Sequence, residues 1–475
     1  MFGISLAVLL SCVASTGSPV GDELAWARFR GPNGTGVALP GTELPSDISG
    51  EKRVLWRVEV PHAYSSPVVA GEKVFLTAFH EGKLLTLAYA LADGKELWRA
   101  EAPADHEVKR NMLGNPAAPS PVTDGKDVWV CFEDVGVLRY SGDGKLLWKA
   151  EIGKHRIPHG LAQSPILEGS LVLQQIDADS GSYLLAFDRE TGKQLWRTKR
   201  PGVLYGYSTP SIHRGKDGAA EVIVSGSYRI EAFDLKAGER KWSVDGACWN
   251  ACALPIVAGD KAFVLSYTGT PQEYRAPKVD LSWEEMKKTY DKDGDGKVTV
   301  AEWEQPGLDQ LWFLFDLNDD KGMDAEEYAV AQLRARATGG LFALDLGAKD
   351  EAQRRLWTRT EKRGLPEMPS PVLVGETLFL INDGLLSSID AKNGEIVKQE
   401  RIGDTSTNYA SLVAAGEKLL VTSHSGRLTV VSAKPQWEVL SHRELGEEEL
   451  WATPALVGDR IVVRSEEALW CLSAR

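Results

Sequence analysis

The sequence predicts an all-β fold, an eight-bladed β-propeller of four-stranded blades that carries a small α-helical insertion. Three observations lead to this prediction. A proline–glycine pattern recurs eight times, most repeats close with a tryptophan-bearing apolar run, and one interval between repeats is about 70 residues too long. A chain of 475 residues exceeds one ordinary hydrophobic core unless repeated units build it.

Each repeat begins with Pro-x-x-x-Gly followed by alternating apolar residues. Six copies are regular, one has an extra residue (Pro210), and one keeps only the glycine (Leu412). In chain order the copies begin at Pro67, Pro121, Pro165, Pro210, Pro255, Pro371, Leu412 and Pro454. Successive copies start 41 to 54 residues apart, except for the 116 residues between the fifth and the sixth. This period is typical of propeller blades.

Each unit contains the residues that four short strands need. The proline opens the first strand where no ladder donor is required, and the glycine turns the chain into the second strand. A third apolar run ends at an aspartate and a glycine turn, and the fourth strand carries the tryptophan, most clearly in residues 186–196. One such sheet cannot bury both of its faces, so neighbouring blades must cover them.

The last repeat lacks a fourth strand of its own, because the chain ends soon after Leu472. Residues 54–60, which contain Trp56, precede the first repeat and have the pattern of a fourth strand. We therefore expect this N-terminal strand to complete the last blade. Such closure removes a sheet edge that would otherwise be exposed.

The copy at residues 186–196, Ala-Phe-Asp-Arg-Glu-Thr-Gly-Lys-Gln-Leu-Trp, and the eightfold count resemble the quinoprotein-type (PQQ-like) β-propeller repeats. The resemblance covers about residues 54–475 apart from the insertion. It implies one of two classes: dehydrogenases that use pyrroloquinoline quinone (PQQ), or non-catalytic scaffolds such as the propeller lipoprotein of the outer-membrane barrel-assembly machinery. Residues 26–36 are similar to a leader segment of exported bacterial members.

The long interval contains a complete EF-hand loop pattern at residues 291–302. A hard cation such as Ca²⁺ requires many oxygen ligands around a sharp turn, which Gly296 allows. The predicted ligands are Asp291, Asp293, Asp295, the Lys297 carbonyl, Thr299 through water, and Glu302. The sequence therefore predicts calcium binding within an EF-hand insertion at residues 268–338.

A second loop begins at Asp316 and departs from the pattern at one position, where Lys321 replaces the turn glycine. Its candidate ligands are Asp316, Asn318, Asp320, the Gly322 carbonyl, Asp324 and Glu327. A side chain at positive φ costs about 1–2 kcal/mol, so this loop is either a second calcium site or only a structural partner. Val298 and Met323 hold equivalent apolar positions and are predicted to pair between the loops.

The net charge argues against one broad class of function. The chain has 67 acidic and 54 basic residues, a net charge of −13, which disfavours a surface that coats nucleic acid. Residues 276–338 contribute −7 of this charge, and calcium would offset the local repulsion. After the first dozen residues no apolar run is long enough to cross a membrane.

Residues 1–17 have the short apolar core of an export signal, followed by an N-terminal extension at 18–53. The run before Cys12 fits a bacterial lipobox, so the mature chain is either released by cleavage or anchored by a lipid on Cys12. Both alternatives place it outside the cytoplasm, as a periplasmic, secreted or membrane-anchored protein. A local disulfide between Cys248 and Cys252 is an option in such a compartment.

The predicted domain order follows from the repeats. Blades one to four and part of blade five occupy residues 54–267, and residues 339–475 form the rest. The links between blades run from the outer rim to the inner ring, so their residues should gather at one mouth of the channel. Four of the eight residues that stand three places before a repeat start are aromatic: Tyr64, Tyr207, Tyr409 and Trp451. They form either a funnel for a peptide, sugar or planar cofactor, or blade-to-blade packing.

The sequence contains no hydrolytic or phosphate-binding motif, and it lacks the vicinal cysteine pair usual in the dehydrogenases that it resembles. It therefore favours an exported, monomeric, non-catalytic binding or scaffolding propeller. The expected partners are calcium and an envelope protein, peptide or glycan. Two alternatives stay open: a PQQ-dependent dehydrogenase, and a calcium-dependent carbohydrate- or peptide-binding module.

Overall fold

The computed structural model describes residues 26–104, 114–133, 135–268, 279–446 and 448–475. These residues form eight antiparallel four-stranded sheets and one two-stranded sheet. The first strands of neighbouring sheets adjoin one another at six of the eight junctions of the ring. The predicted eight-bladed β-propeller is thus confirmed, whereas the predicted export signal and Cys12 lie outside the described residues.

The first four blades follow one another along the chain. Blade one contains β2 Val68–Ala70, β3 Lys73–His80, β4 Lys83–Ala90 and β5 Glu96–Glu101. Blade two contains β6 Val122–Thr123, β7 Asp127–Phe132, β8 Gly136–Ser141 and β9 Leu146–Ala150. Blade three contains β10 Ile166–Glu168, β11 Leu171–Ile176, β12 Tyr183–Asp188 and β13 Gln194–Lys199. Blade four contains β14 Ser211–Arg214, β15 Ala220–Gly226, β16 Arg229–Asp234 and β17 Arg240–Asp245.

Blade five is interrupted and blade eight is completed by the N-terminal strand. Blade five contains β18 Ile256–Ala258, β19 Lys261–Ser266, β22 Gly340–Asp345 and β23 Arg355–Arg359. Blade six contains β24 Val372–Val374, β25 Thr377–Asn382, β26 Leu385–Asp390 and β27 Ile396–Arg401. Blade seven contains β28 Val413–Ala415, β29 Lys418–Thr422, β30 Arg427–Ser432 and β31 Val439–Glu444. Blade eight contains β32 Ala455–Val457, β33 Arg460–Arg464, β34 Ala468–Ser473 and β1 Val54–Glu59.

The N-terminal strand closes the ring as predicted. β1 pairs antiparallel with β34, with Trp56 opposite Cys471 and Glu59 opposite Ala468. Because β1 supplies the outer strand of blade eight, the last sheet has the same four strands as the other seven.

The helical elements are short. They are α1 Trp283–Tyr290, α2 Val300–Trp303, α3 Ala325–Arg336 and α4 Glu351–Arg354, with 3-10 turns at Pro32–Gly34, Glu51–Arg53 and Asp309–Leu314. Two further strands, β20 Val298–Thr299 and β21 Gly322–Met323, lie between them. In the parts of the chain that the structure describes, no helix has both the length and the apolar character needed to cross a bilayer.

The tryptophan of an outer strand packs on the turn of the next blade. Trp148 in β9 donates its indole N–H to the Arg189 carbonyl at 3.1 Å. A Cβ on Gly192 would lie 2.7 Å from the Trp148 ring, so only glycine fits at this contact. The same contact recurs in the pairs Gly94–Trp56, Gly144–Trp98, Gly238–Trp196 and Gly394–Trp357. These tryptophans and glycines therefore hold the blades together.

A ring of hydroxyl groups joins the inner strands. The Ser120 hydroxyl accepts the Ser66 N–H at 2.9 Å, and the Ser120 N–H donates to the Ser164 hydroxyl at 2.9 Å. Five further steps have N···O distances of 2.9 to 3.2 Å: Ser164 to Thr209, Leu254 to Ser370, Ser370 to Ser411, Ser411 to Thr453, and Thr453 to Ser66. Leu254 is the one position without a hydroxyl. Seven of the eight blade junctions thus contain the same kind of hydrogen bond, in which a backbone N–H of one blade donates to a hydroxyl of the next blade around the ring.

Residues 26–38 lie in the central channel. Trp26 forms an antiparallel bridge with Val69 in β2, and Val37 forms a parallel bridge with Ala414 in β28. Trp26 and Arg30 are completely buried. The segment therefore enters along blade one, turns, and leaves along blade seven, so the inner strands surround it.

Polar contacts hold this segment across the ring. The Arg28 guanidinium donates to the Pro210 carbonyl at 2.8 Å, and Arg30 donates to the Pro371 carbonyl at 2.7 Å. The Asn33 amide exchanges two hydrogen bonds with the backbone of Ile212. Burial lowers the pKa of Arg28 to about 10 and that of Arg30 to about 9.

Candidate functional site

The insertion leaves the propeller after β19 and returns at β22 in blade five. It carries the two acidic loops and a hydrophobic cluster of its own, which includes Met286, Trp303 and Phe315. The loops lie side by side because β20 pairs with β21, with Val298 opposite Met323. The predicted pairing of these two residues is confirmed.

The first loop is folded around the carboxylate of Asp291. Its Oδ1 accepts the Gly294 N–H at 2.7 Å, and its Oδ2 accepts the Gly296 N–H at 3.0 Å. Gly296 has a φ of +89°, in the left-handed region that favours glycine. Asp295 supports the next step of the turn, because its Oδ1 accepts the Lys297 N–H at 2.8 Å.

The last residue of the first loop reaches back over it. Glu302 Oε1 accepts the Lys292 N–H at 2.9 Å, and Oε2 accepts the Thr299 N–H at 2.7 Å. The hydrogen bond from Thr299 lowers the pKa of Glu302. As a result, one carboxylate oxygen each of Asp291, Asp293 and Glu302 lies within 4.8 Å of the others. Three hard anionic donors converge here, which fits the ligand preference of Ca²⁺.

The second loop repeats the fold of the first. Asp316 Oδ2 accepts the Lys321 N–H at 2.8 Å, as Asp291 Oδ2 accepts that of Gly296. Lys321 has a φ of +79°, so the lysine adopts the left-handed conformation expected at that position. Asn318 Oδ1 accepts the Asp320 N–H at 2.9 Å.

The second loop differs from the first in its burial and charge partners. Glu327 Oε1 accepts the Leu317 N–H at 2.7 Å, and Oε2 accepts the Asp324 N–H at 2.9 Å. Burial raises the pKa of Glu327. Lys297 of the first loop forms an ion pair with Asp320, which lowers the pKa of that carboxyl. One candidate ligand of the second loop, Asp320, is therefore already paired with a lysine ammonium group.

A cleft separates the second loop from blades three and four, and the sequence did not indicate it. Its volume is about 630 Å³. The propeller wall includes Arg156, Tyr183 and residues 199–204, and the insertion wall includes residues 317–319, Asp324, Glu326 and Glu327. The propeller wall thus carries basic groups together with the acidic Asp179, whereas the charged groups of the insertion wall are all acidic. No repeat signal reports this cleft, because it forms where the insertion folds back on the ring.

Three of the four predicted mouth aromatics come together. The Trp451 ring lies between Tyr64 and Tyr409, with ring centroids 4.6 and 4.0 Å apart and interplanar angles of 22° and 4°. Tyr207 belongs to a separate group, with Tyr205 at 6.0 Å. The stacked rings touch one another, so no slot between them admits a planar cofactor. They connect blades seven, eight and one at the point where the ring closes.

The Cys248–Cys252 disulfide is not formed in the structure. The Cys248 thiol instead donates to the Asn250 carbonyl at 3.1 Å. Both thiols lie in the link that leads from blade four to blade five.

Comparison with protein families gives one match that covers most of the chain. A family model described as outer membrane protein assembly factor BamB matches residues 49–243, 138–285 and 326–475. An outer membrane protein assembly factor BamB from Bordetella pertussis is 20% identical over 372 residues, which are 78% of this chain and 83% of that protein.

Solved structures share the architecture. BamB from Moraxella catarrhalis superposes with a TM-score of 0.55 at 12% identity, covering 88% of this chain and 97% of that one. A europium-containing methanol dehydrogenase superposes with a TM-score of 0.61 at 10% identity, covering 96% of this chain and 98% of that one. At such low identities both likenesses concern the fold alone, and the fold serves an assembly factor and an enzyme equally well.

Proposed function

Because the chain belongs to the family described as outer membrane protein assembly factor BamB, we propose that it is an exported, non-catalytic propeller platform for envelope proteins, and that its insertion is an EF-hand module that binds calcium. The family match carries the first half of this proposal. It covers both propeller segments on either side of the insertion.

The packing of the channel supports a platform over an enzyme. Residues 26–38 occupy the channel, and the rings of Tyr64, Tyr409 and Trp451 stack on one another. A planar quinone would need an open aromatic slot and a cation site near the axis. Three of the four aromatic side chains that could have supplied the slot instead stack on one another between blades.

Incubation with PQQ and calcium, followed by desalting and an absorbance scan, tests this half. We expect no quinone to be retained. Stoichiometric retention, with reduction of a dye when alcohol is added, would replace the platform with a dehydrogenase.

A genetic experiment tests the envelope role. Removing the gene from its host should lower the amount of folded outer-membrane protein, and expression of the intact chain should restore it. Unchanged levels in the deletion strain would contradict an assembly role.

The convergent oxygens of Asp291, Asp293 and Glu302 support the calcium half of the proposal. The two loops have matching turns and are joined by the β20–β21 pair, as EF-hand partners require. In an exported protein a weak site with a Kd of about 10⁻⁴–10⁻³ M is sufficient, since extracellular modules work in this range. The ion would clamp the insertion rather than signal.

Titration calorimetry with calcium tests the first loop. Glu302→Gln should weaken binding at least about tenfold, because it removes a bidentate anionic ligand. Glu304→Gln is the matched control: Glu304 is two residues away, is exposed and pairs with Lys292, and it lies outside the ligand pattern. Equal isotherms for the two variants, or no heat at millimolar calcium, would contradict the proposal.

A further inference from the structure

The last helix of the insertion is packed against the propeller. A Cβ on Gly202 would lie 2.3 Å from a methyl carbon of Val330 in α3, so the helix approaches the propeller backbone as closely as a glycine permits. Val330 is buried together with Leu204 and Tyr228 of the propeller. These contacts fix α3 against the link that joins blade three to blade four.

Further contacts surround this junction. Leu317 and Leu333 of the insertion pack on the same buried cluster. Lys199 at the end of β13 forms an ion pair with Glu326 at 3.5 Å. The exposed ion pair adds little by itself, so apolar contact holds the interface.

The second acidic loop and this interface share the same helix. Asp324 caps α3, because its side chain accepts the Glu326 and Glu327 N–H groups at 2.9 and 3.0 Å. Glu327, the last candidate ligand, stands three residues before Val330 and therefore about one helical turn away. Its carboxylate also holds the backbone of Leu317, which packs against the propeller.

We propose that calcium in the second loop strengthens the docking of the insertion on blades three and four. This inference rests on the proposed calcium binding. An ion that draws in Asp324 and Glu327 fixes the first turn of α3 and the position of Leu317, and both carry docking contacts. Calcium and docking must then strengthen each other by the same factor, because such coupling is reciprocal.

The reciprocity gives a direct test. Val330→Ser weakens docking without changing any proposed ligand, and Ala329→Ser introduces the same residue at the neighbouring exposed position of the helix. Both are made in the Glu302→Gln background, so that calorimetry reports the second loop. We expect Val330→Ser to weaken calcium binding at least about fivefold, the lower end of typical coupling. Ala329→Ser should bind calcium unchanged.

Hydrogen–deuterium exchange of the otherwise unaltered chain gives an independent measurement. Calcium should slow exchange in propeller residues 199–205 in the wild type and in Glu302→Gln, but not in Glu327→Gln. Calcium binding at the second loop with equal affinity in both serine variants and no change in exchange would overturn the coupling and leave the proposed calcium binding intact. Absence of calcium binding in Glu302→Gln alone would overturn the coupling, and absence of any calcium binding to the wild type would overturn both proposals.

Discussion

Replacing Ser120 by alanine tests the hydroxyl ring. Ser120 is buried, and its hydroxyl accepts the Ser66 N–H at 2.9 Å. Alanine removes that acceptor and leaves a backbone donor between two blades, where water does not reach. A buried donor without a partner costs about 1–3 kcal/mol, so we expect the free energy of unfolding to fall by about that amount.

Ser180→Ala provides the matched control. The Ser180 hydroxyl also accepts a backbone N–H at 2.9 Å, from Arg156, but it lies at the exposed surface. Water replaces the lost acceptor there, and the expected loss is within about 0.5 kcal/mol. Urea unfolding followed by tryptophan fluorescence measures both variants. Equal losses would refute the argument, because burial would then not determine the cost.

Three further perturbations have defined outcomes. Gly192→Ala should lower the free energy of unfolding by more than about 2 kcal/mol, because the strain of a left-handed backbone and the overlap with the Trp148 ring add together. Gly169→Ala has a positive φ but open space around it, so it should lower the free energy of unfolding by only about 1 kcal/mol. Similar melting temperatures for the two variants would contradict this reasoning. Burial raises the pKa of Asp177 to about 6, while its unfolded value is near 3.8. As the pH falls, Asp177 is therefore protonated in the folded protein before it is protonated in the unfolded chain, so wild-type stability should rise relative to Asp177→Asn between pH 7 and pH 5. A difference in unfolding free energy between the two proteins that does not vary with pH in urea unfolding would contradict this. Deletion of residues 1–60 should open the edge of β34 and cause aggregation in light scattering; a monomer of unchanged heat stability would be the contrary result.

Most of the fold could be predicted because its signals repeat. The proline, glycine and tryptophan of each unit recur at one period, and a missing fourth strand at the end pointed to Trp56 at the start. The place of residues 26–38 could not be predicted. Their hydrogen bonds join residues 182 and 341 positions apart, as from Arg28 to Pro210 and from Arg30 to Pro371, and no periodic pattern encodes such contacts.

The candidate site was predictable where its donors are close in sequence. The turns at Gly296 and Lys321 and the pairing of Val298 with Met323 follow from loop spacing alone. The cleft depends on how α3 packs against Gly202, which is a tertiary contact without a local signal. The hydroxyl ring did have a signal, since serine or threonine precedes seven of the eight repeat starts.

The positions of residues 26–38 and β1 constrain the order of folding. Residues 26–38 and β1 are the first described parts of the chain to be synthesised, yet their partners include Ala414 and Cys471, near its other end. A nascent chain that has been synthesised only to a point before residue 468 lacks β34, so β1 has no strand with which to pair. Contacts of such long range slow folding. The ring of this propeller can therefore close only after β34 has been synthesised.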